Sequence, residues 1–595
     1  MKRLSIVLFF LLIAAGAWGW FKITSPPKPM QLAEPIRINQ GIVLGGIDRD
    51  NSEIQVFNGI PYASASRWAA PGDPPQWGAV ARDVRTYGPE CIQSRRNIDG
   101  FFNRILDGTG LPWWKRTAAR RLISARPAPA EAEDCLFINV RSGNVGHKQL
   151  LPVMVWIHGG AHQAGSGSND LYQANALVEN GVVLVTFNYR LGPFGYLAHP
   201  ALTEEAGTSG NYGLMDQVAA LRWVRANIRT FGGDPDNVTL FGESAGAQSI
   251  SELMATHYAD GLYHKAILES GTSSYNALYR NDAPLIGSRS AEDVGTEFLS
   301  SLTDQTVTAT ELRRIPAASI IARVEARQDL AGYFLPVVDG KILTETVGAT
   351  IRAGDAPKVP VLAGYNADEG TLFYGSIRSP TILRPGITGT LDQREQELAE
   401  VFGENPAKAL QALYSMDSER SWDAGAMDML GDDLFGVHMR FLSKANATAG
   451  RPTWMYFFTR TTPTRGQTIG AYHGSEIPFV FGSSSTLLPM SDKDERLART
   501  MQAYWTNFAR TGDPNGEHLP PWPPYTPAGD EWLVLDHEIF SVNGIRARKL
   551  DILEEHLIDR IDAVSRATEA DPEFDATLMT TLPVSGGEDH LADSN

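Results

Sequence analysis

Gly242-Glu243-Ser244-Ala245-Gly246 sets a serine between two glycines, a spacing that suits a nucleophile. A serine hydroxyl is weak at neutral pH. It needs a base within reach, a group that orients the base, and donors for the oxyanion that forms on attack. The flanks supply the right context. Val238-Thr239-Leu240-Phe241 reads as a short β-branched and apolar strand, and Ala247 to Met254 reads as a helix. Strand, G-x-S-x-G, helix is the context of a nucleophile elbow. The turn must be tight enough to push Oγ out of the sheet. Side chains at 242 and 246 would collide with the neighbouring strand and helix, so glycine is needed at both. Read on its own, the same pentapeptide also fits a structural turn with a capping serine.

A second chemical segment lies upstream. Val153-Met154-Val155-Trp156-Ile157 is a fully apolar strand that leads into His158-Gly159-Gly160-Ala161-His162. A glycine pair after such a strand lets the backbone approach a substrate oxygen, as an oxyanion-hole loop requires. The expected donors are the N–H groups of Gly160, Ala161 and Ala245. The His158/His162 spacing would suit a metal pair only on a helix, and Gly159-Gly160 makes a poor helix interior. With no H-E-x-x-H pattern, no metal site is expected. The base must come from twelve histidines. His257, His264, His518 and His556 lie in helix-like or polar surroundings. His473 lies between glycines on a loop-like segment after the apolar strand Trp454 to Phe458. The residues alone leave that choice open.

These segments need a scaffold. Apolar strand-like runs alternate with helical stretches from about residue 150 to 270, which predicts an α/β fold built on a mostly parallel sheet with helices on both faces. The 595 residues, 43% hydrophobic and 20% charged, suit a globular chain rather than a disordered, collagen-like or polytopic membrane protein. At ~150 residues per domain the length suggests about four domains. A formal charge of −17 argues against a nucleic-acid partner. Two cysteines exclude a disulfide-dense scaffold and any multi-cysteine metal site, and leave room for one disulfide.

The two ends differ from this middle. Lys2-Arg3 precedes 18 uncharged residues, Leu4 to Phe21, and then Lys22. A basic start before an apolar run predicts export. The run is at the short edge of the ~17–25 residues that span a bilayer. Ala15-Gly16-Ala17 offers a peptidase site, so a cleaved signal and a retained anchor both remain open, with a buried core helix as the bland reading. Ser25-Pro26-Pro27-Lys28-Pro29 reads as a linker. The other end is acidic (Glu569, Asp571, Glu573, Asp575, Glu588 and Asp589) and poor in large apolar residues, so it is expected to be disordered or loosely attached. The expected organisation is an export segment with linker over 1–30, one catalytic domain over 31–565 and an acidic tail over 566–595.

Several further runs resemble the type-B carboxylesterase family, which includes the cholinesterases and sits in the α/β-hydrolase superfamily. They are Phe57-Asn58-Gly59-Ile60-Pro61-Tyr62-Ala63 with Arg67, Glu133-Asp134-Cys135-Leu136-Phe137-Ile138-Asn139-Val140, and Asn188-Tyr189-Arg190-Leu191-Gly192. A longer one starts at Asn211-Tyr212-Gly213-Leu214-Met215-Asp216-Gln217. It continues through Phe231-Gly232-Gly233-Asp234-Pro235 into the Ser244 pentapeptide. The similarity spans roughly residues 35 to 550, which favours one large domain over four.

The resemblance implies an α/β-hydrolase fold and a Ser-Glu-His triad. The family's acid is the Glu of an Asp-Glu-Gly triplet after a strand; here Asp368-Glu369-Gly370 follows Val359 to Ala363 and points to Glu369. The family's base lies in a Gly-x-x-His-Gly-x-Glu-x-Pro segment; here Gly470 to Pro478 points to His473. The order Ser, Glu, His is that of the superfamily. Glu243 and Ser270 resemble supporting positions near the site. The family's first disulfide implies a Cys91–Cys135 bridge closing a loop at the rim of the site, worth roughly 2–4 kcal/mol, with an Arg67–Glu133 ion pair beside it.

Three departures bear on specificity. The oxyanion loop of the family usually reads Gly-Gly-Gly and then an aromatic; here Ala161 and His162 stand there. His162 is expected to make one wall of the acyl site more polar. The cholinesterase tryptophan that holds a choline ammonium falls near Ala125, so choline esters are not the expected substrates. The segment between the cysteines, with Trp113-Trp114, is longer than usual for the family. The expected activity is that of an exported serine carboxylesterase acting on a small-molecule ester through an acyl-enzyme, with no cofactor. Membrane contact is expected only through the N-terminal segment. A binding module without catalysis, and a hydrolase of amides or carbamates, are the competing readings.

Overall fold

The computed structural model describes residues 30–125, 129–271, 274, 290–303, 307–355, 359–374, 390–461, 466–483 and 490–568. The export segment and the acidic tail expected from the sequence lie outside these residues, apart from Met30 and the last turn of helix Ala547–Thr568, which continues past the expected boundary at 565.

Sixteen strands form among the described residues. In chain order they are β1 (Ile36–Ile38), β2 (Gly41–Leu44), β3 (Gly46–Ile47), β4 (Gln55–Pro61), β5 (Gly78–Asp83), β6 (Glu90–Cys91), β7 (Glu131–Ala132) and β8 (Phe137–Ser142). The rest are β9 (Leu151–Ile157), β10 (Val183–Phe187), β11 (Gly233–Glu243), β12 (Lys265–Glu269), β13 (Val361–Asn366), β14 (Thr453–Phe458), β15 (Glu531–Leu535) and β16 (Phe540–Asn543). Eleven of them make one sheet in the order β16-β15-β14-β13-β12-β11-β9-β10-β8-β4-β3. Its centre, β15 through β10, is parallel, and antiparallel pairs close both sides. This is the mostly parallel α/β sheet expected from the sequence.

The strands read as continuous apolar runs because both faces are covered. Alternate residues serve opposite cores. On β9, Val153, Val155 and Ile157 join one core, and Met154 and Trp156 join the other. The first core takes Leu221 and Val224 of helix Tyr212–Asn227, Ile250 and Leu253 of helix Ala245–Ala255, and Leu553 and Leu557 of the last helix. The second takes Leu497, Met501, Trp505 and Phe508 of helix Asp492–Thr511. That i, i+4, i+8, i+11 spacing is one face of a helix.

Register then positions the chemistry. Gly242 of β11 lies opposite Ile157 of β9, and Glu269 of β12 opposite Gly364 of β13. The segments after β9, β11, β12 and β13 therefore leave the sheet side by side at its carboxyl edge, where open α/β sheets place their ligands.

Candidate active site

Ser244 follows β11 directly, with φ 57° and ψ −125°, a conformation that L-residues rarely adopt and that costs of order 1–3 kcal/mol. Its N–H donates to the carbonyl of Glu269 on the next strand at 2.9 Å. The following helix begins at Ala245, but the Ser244 side chain makes no capping bond to it. The capping alternative is therefore not how the hydroxyl is used. The steric argument for the glycines is met. A Cβ at Gly246 would sit 1.9 Å from the carbonyl oxygen of Ile157, and one at Gly242 would sit 2.7 Å from the same atom.

The loop after β9 turns through three consecutive residues of positive φ: Gly160 (110°), Ala161 (55°) and His162 (56°). Gly160 has no alternative, because a Cβ there would fall 1.9 Å from the Ala164 carbonyl oxygen. Gly159 passes close to the elbow, with its Cβ position 3.1 Å from Cβ of Ser244. The backbone at Gly159 thus runs directly beside the Ser244 turn.

His473 and Glu369 meet although 104 residues separate them. His473 Nδ1 lies 2.6 Å from Oε2 of Glu369. The other oxygen of Glu369 accepts the N–H of Asn366 at 2.7 Å, which fixes the carboxylate at the end of β13. Nε2 of His473 lies 3.1 Å from Oε1 of Glu243, the residue before the serine. The imidazole is held between two aromatic rings. Phe435 stacks on it at 4.6 Å with an interplanar angle of 24°, and Phe373 meets it edge-on at 4.8 Å. Phe435 belongs to a π-helical turn, Asp432–Gly436, inserted between helices Glu419–Gly431 and Val437–Thr448. Such turns often mark functional sites.

Beneath the site four carboxyl groups share little solvent: Glu243, Glu269, Glu369 and Glu476 are all buried. Burial, reinforced by the negative neighbours Glu369 and Glu269, raises the carboxyl of Glu243 well above its ordinary range. Burial and the same cluster raise Glu476, against the opposing hydrogen bond from Asn366. Burial pushes Glu269 to about 8 although Trp505 Nε1 donates to it at 2.7 Å.

Ser270 is buried at the end of β12 with φ 50°. The next residue, Gly271, packs directly under the elbow, where a Cβ would lie 2.1 Å from the Ser244 carbonyl oxygen. His158 stacks on Tyr189 at 4.4 Å, and its Nδ1 lies 2.9 Å from the Gly159 carbonyl oxygen. His162 is 0% exposed, with its ring 5.1 Å from Tyr196 and 6.5 Å from Tyr189. The ring thus packs against two buried tyrosines with no face open to solvent. Burial lowers His158 to about 4, and burial lowers His162 to about 3 against the Gln248 side chain. Both rings are neutral near pH 7.

The cysteine pair is a disulfide, Cys91–Cys135, with Cα atoms 4.9 Å apart. Arg67 forks onto Glu133, with Nε 2.7 Å from Oε2 and Nη2 paired with Oε1. A second ion pair, Arg190–Asp216 at 2.7 Å, is fully buried and joins the Asn188–Gly192 segment to helix Tyr212–Asn227. Phe373, Phe435 and Asn366 are the contacts that sequence reasoning missed. An aromatic residue in a helical stretch carries no local mark that separates a ring on a histidine from a ring in the core.

Comparison with known proteins agrees with this architecture. A model of the carboxylesterase family matches residues 33–552. The fumonisin B1 esterase of Sphingopyxis macrogoltabida is 34% identical over 89% of this chain and 92% of its own length. The para-nitrobenzyl esterase of Bacillus subtilis is 35% identical over 83% of this chain and 94% of its own. Among solved structures, a carboxylesterase of Geobacillus stearothermophilus superposes with a TM-score of 0.70 at 30% identity, covering 88% of this chain and all of the other. The chain belongs to the carboxylesterase family and is a carboxylic ester hydrolase.

Proposed function

We propose that the chain hydrolyses small or medium carboxylic esters through an acyl-enzyme on Ser244. Oγ of Ser244 attacks the ester carbonyl, and Nε2 of His473 takes its proton and passes it to the departing alcohol. Glu369 holds Nδ1 and stabilises the imidazolium. The N–H groups of Gly160, Ala161 and Ala245 receive the oxyanion; loss of one such donor costs ~10²–10³ in rate in comparable enzymes. Water then attacks the acyl-enzyme by the same route, releasing the acid and restoring Ser244. Glu243 and Ser270 support the base and the elbow from beneath. His162 acts on acyl preference only through the footing of the loop.

The observation that carries this reading is the 2.6 Å contact of His473 with Glu369, at the same sheet edge as the strained turn of Ser244. Ser244→Ala should lower kcat on p-nitrophenyl acetate and butyrate by at least ~10⁴-fold. It should also abolish stoichiometric labelling by an organophosphate. Equal rates for the variant and the parent would overturn the assignment. The substrate panel should include a para-nitrobenzyl ester and fumonisin B1, for which relatives are named. The disulfide supports an extracytoplasmic site of action, testable by fractionating the producing cells.

A further inference from the structure

The Cys91–Cys135 loop holds two helices, Arg95–Gly108 and Trp113–Ala125. The outer one presents the most exposed tryptophans of the described residues: Trp113 is 72% and Trp114 55% exposed. Phe102 of the inner helix is exposed as well, at 38%. Burying such rings in a core would have been favourable, so leaving them in water needs a reason.

The charge on the outer helix is equally uneven. Trp113–Ala125 carries Lys115, Arg116, Arg120 and Arg121 and no acidic residue, within a chain of net charge −17. Arg120 pairs with Asp107 of the inner helix at 2.6 Å, and Arg116 donates to the Asp107 carbonyl. Lys115 and Arg121 are exposed. Adjacent residues on a helix project about 100° apart, so Trp113 and Trp114 do not fit one hole. They cover adjacent sectors of the helix surface, and Lys115 Nζ lies 5.5 Å from the centre of the Trp114 ring. That combination matches the boundary of a bilayer, where indole rings settle at headgroup depth and cations meet anionic lipid.

We propose that this helical hairpin docks on an anionic lipid surface. The hairpin is coupled to the site. Thr468 N–H donates to the Gly108 carbonyl at 2.9 Å, and Phe101 and Ile105 pack against Leu372, Ile469 and Tyr472, between the residues that carry Glu369 and His473. A lipid surface at the hairpin therefore lies beside the rim of the esterase site.

The test uses the full chain with vesicles of phosphatidylcholine alone or mixed with phosphatidylglycerol, at low and high salt. Every variant keeps the apolar N-terminal segment, so its binding cancels in the comparison. The wild type should favour the anionic vesicles by at least about tenfold at low salt, and the preference should shrink at high salt. Lys115→Glu/Arg121→Glu should remove it, since each cation contributes about fivefold. Trp113→Ala/Trp114→Ala should weaken binding to both compositions. Hydrolysis of p-nitrophenyl acetate without vesicles should be unchanged in both variants. Hydrogen exchange of residues 113–125 should slow on anionic vesicles. A wild-type preference near one, or variants that bind as the wild type does with no change in exchange, would overturn the proposal. So would a fall in sedimentation mass in the tryptophan variant with vesicle binding intact, which would assign the face to a second copy of the chain.

Discussion

Glu243 Oε1 lies 3.1 Å from Nε2 of His473, the nitrogen that the proposed mechanism turns toward Ser244. The carboxyl is raised by burial and by Glu369 and Glu269, so it is held in its neutral form at pH values where an exposed glutamate would be ionised. A neutral carboxyl can donate to an unprotonated Nε2. An ionised one stabilises the imidazolium that forms during attack.

Glu243→Gln keeps the shape and the donor but cannot ionise. Its kcat/KM should match the wild type within about tenfold at acid pH, where the wild-type carboxyl is protonated. The wild type should pull ahead as pH rises through the raised pKa of Glu243 and the anion appears beside His473. Stopped-flow or steady-state rates from pH 5 to 9 check this. Parallel profiles for the two enzymes would show that the carboxyl does not titrate against the histidine.

Phe435 places a ring face on the His473 imidazole. Phe435→Ala should lower kcat by about tenfold with little change in KM, because the imidazole loses its stacked wall and its orientation. Unfolding free energy should drop by about 3 kcal/mol. Phe435→Leu restores bulk without the flat face and should recover most of the stability but less of the rate. If rate and stability recovered together in Phe435→Leu, the ring would be packing alone.

Ala161 holds a left-handed backbone that its Cβ disfavours by about 1–2 kcal/mol. Ala161→Gly keeps the N–H and removes the clash, against the greater freedom of glycine in the unfolded chain. The net expectation is a gain of about 0.5–1 kcal/mol in urea unfolding, with kcat within threefold on p-nitrophenyl butyrate. A loss of stability would mean that the loop carries no strain at this residue.

His162, lowered to about 3, stays neutral in the folded protein down to acid pH, whereas the unfolded chain protonates it near 6.5. Its contribution to stability is therefore complete above pH 6.5. It is lost as pH falls from 6.5 toward 3, at up to about 1.4 kcal/mol per unit. His162→Phe removes that loss. Between pH 7 and 5 the variant should lose about 2 kcal/mol less than the wild type in denaturant unfolding. Glu252 and Glu269, both pushed to about 8, act in the opposite sense, destabilising the fold as pH rises from about 4.5 to 8. They are common to both proteins and cancel in the difference. Equal acid slopes would place a proton on His162 in the folded state.

What was legible in the sequence follows the range of the forces involved. The turn at Ser244 is a local steric problem. Its solution by Gly242 and Gly246, between a strand and a helix, is visible in a dozen residues. The sheet was legible because β9, β13 and β14 are apolar on both faces, which only a doubly covered strand permits. The meeting of Glu369 with His473 was accessible only through family resemblance, since nothing local brings two loops 104 residues apart together. The packing of His162 was not legible for a similar reason. A residue beside an oxyanion loop can face the substrate or the core, and the rings of Tyr189 and Tyr196 that receive it come from other segments. Phe435 was hidden because a π-helical turn rotates one residue out of the helical pattern on which sequence reading depends.

The disulfide gives the 95–125 hairpin a further property. Its two ends meet where Cα atoms lie 4.9 Å apart, about the spacing of neighbouring strands, and β6 and β7 pair at that gate. The described helices beyond it still rest on the hydrolase, through the Gly108–Thr468 backbone bond and the packing of Phe101 and Ile105. In such a closed loop the outer helix, Trp113–Ala125, can be exchanged while the inner helix keeps its contacts with the body. The surface on which the enzyme lands thus sits one helix away from the machinery that cuts, and a graft confined to 113–125 is the way to redirect one while keeping the other.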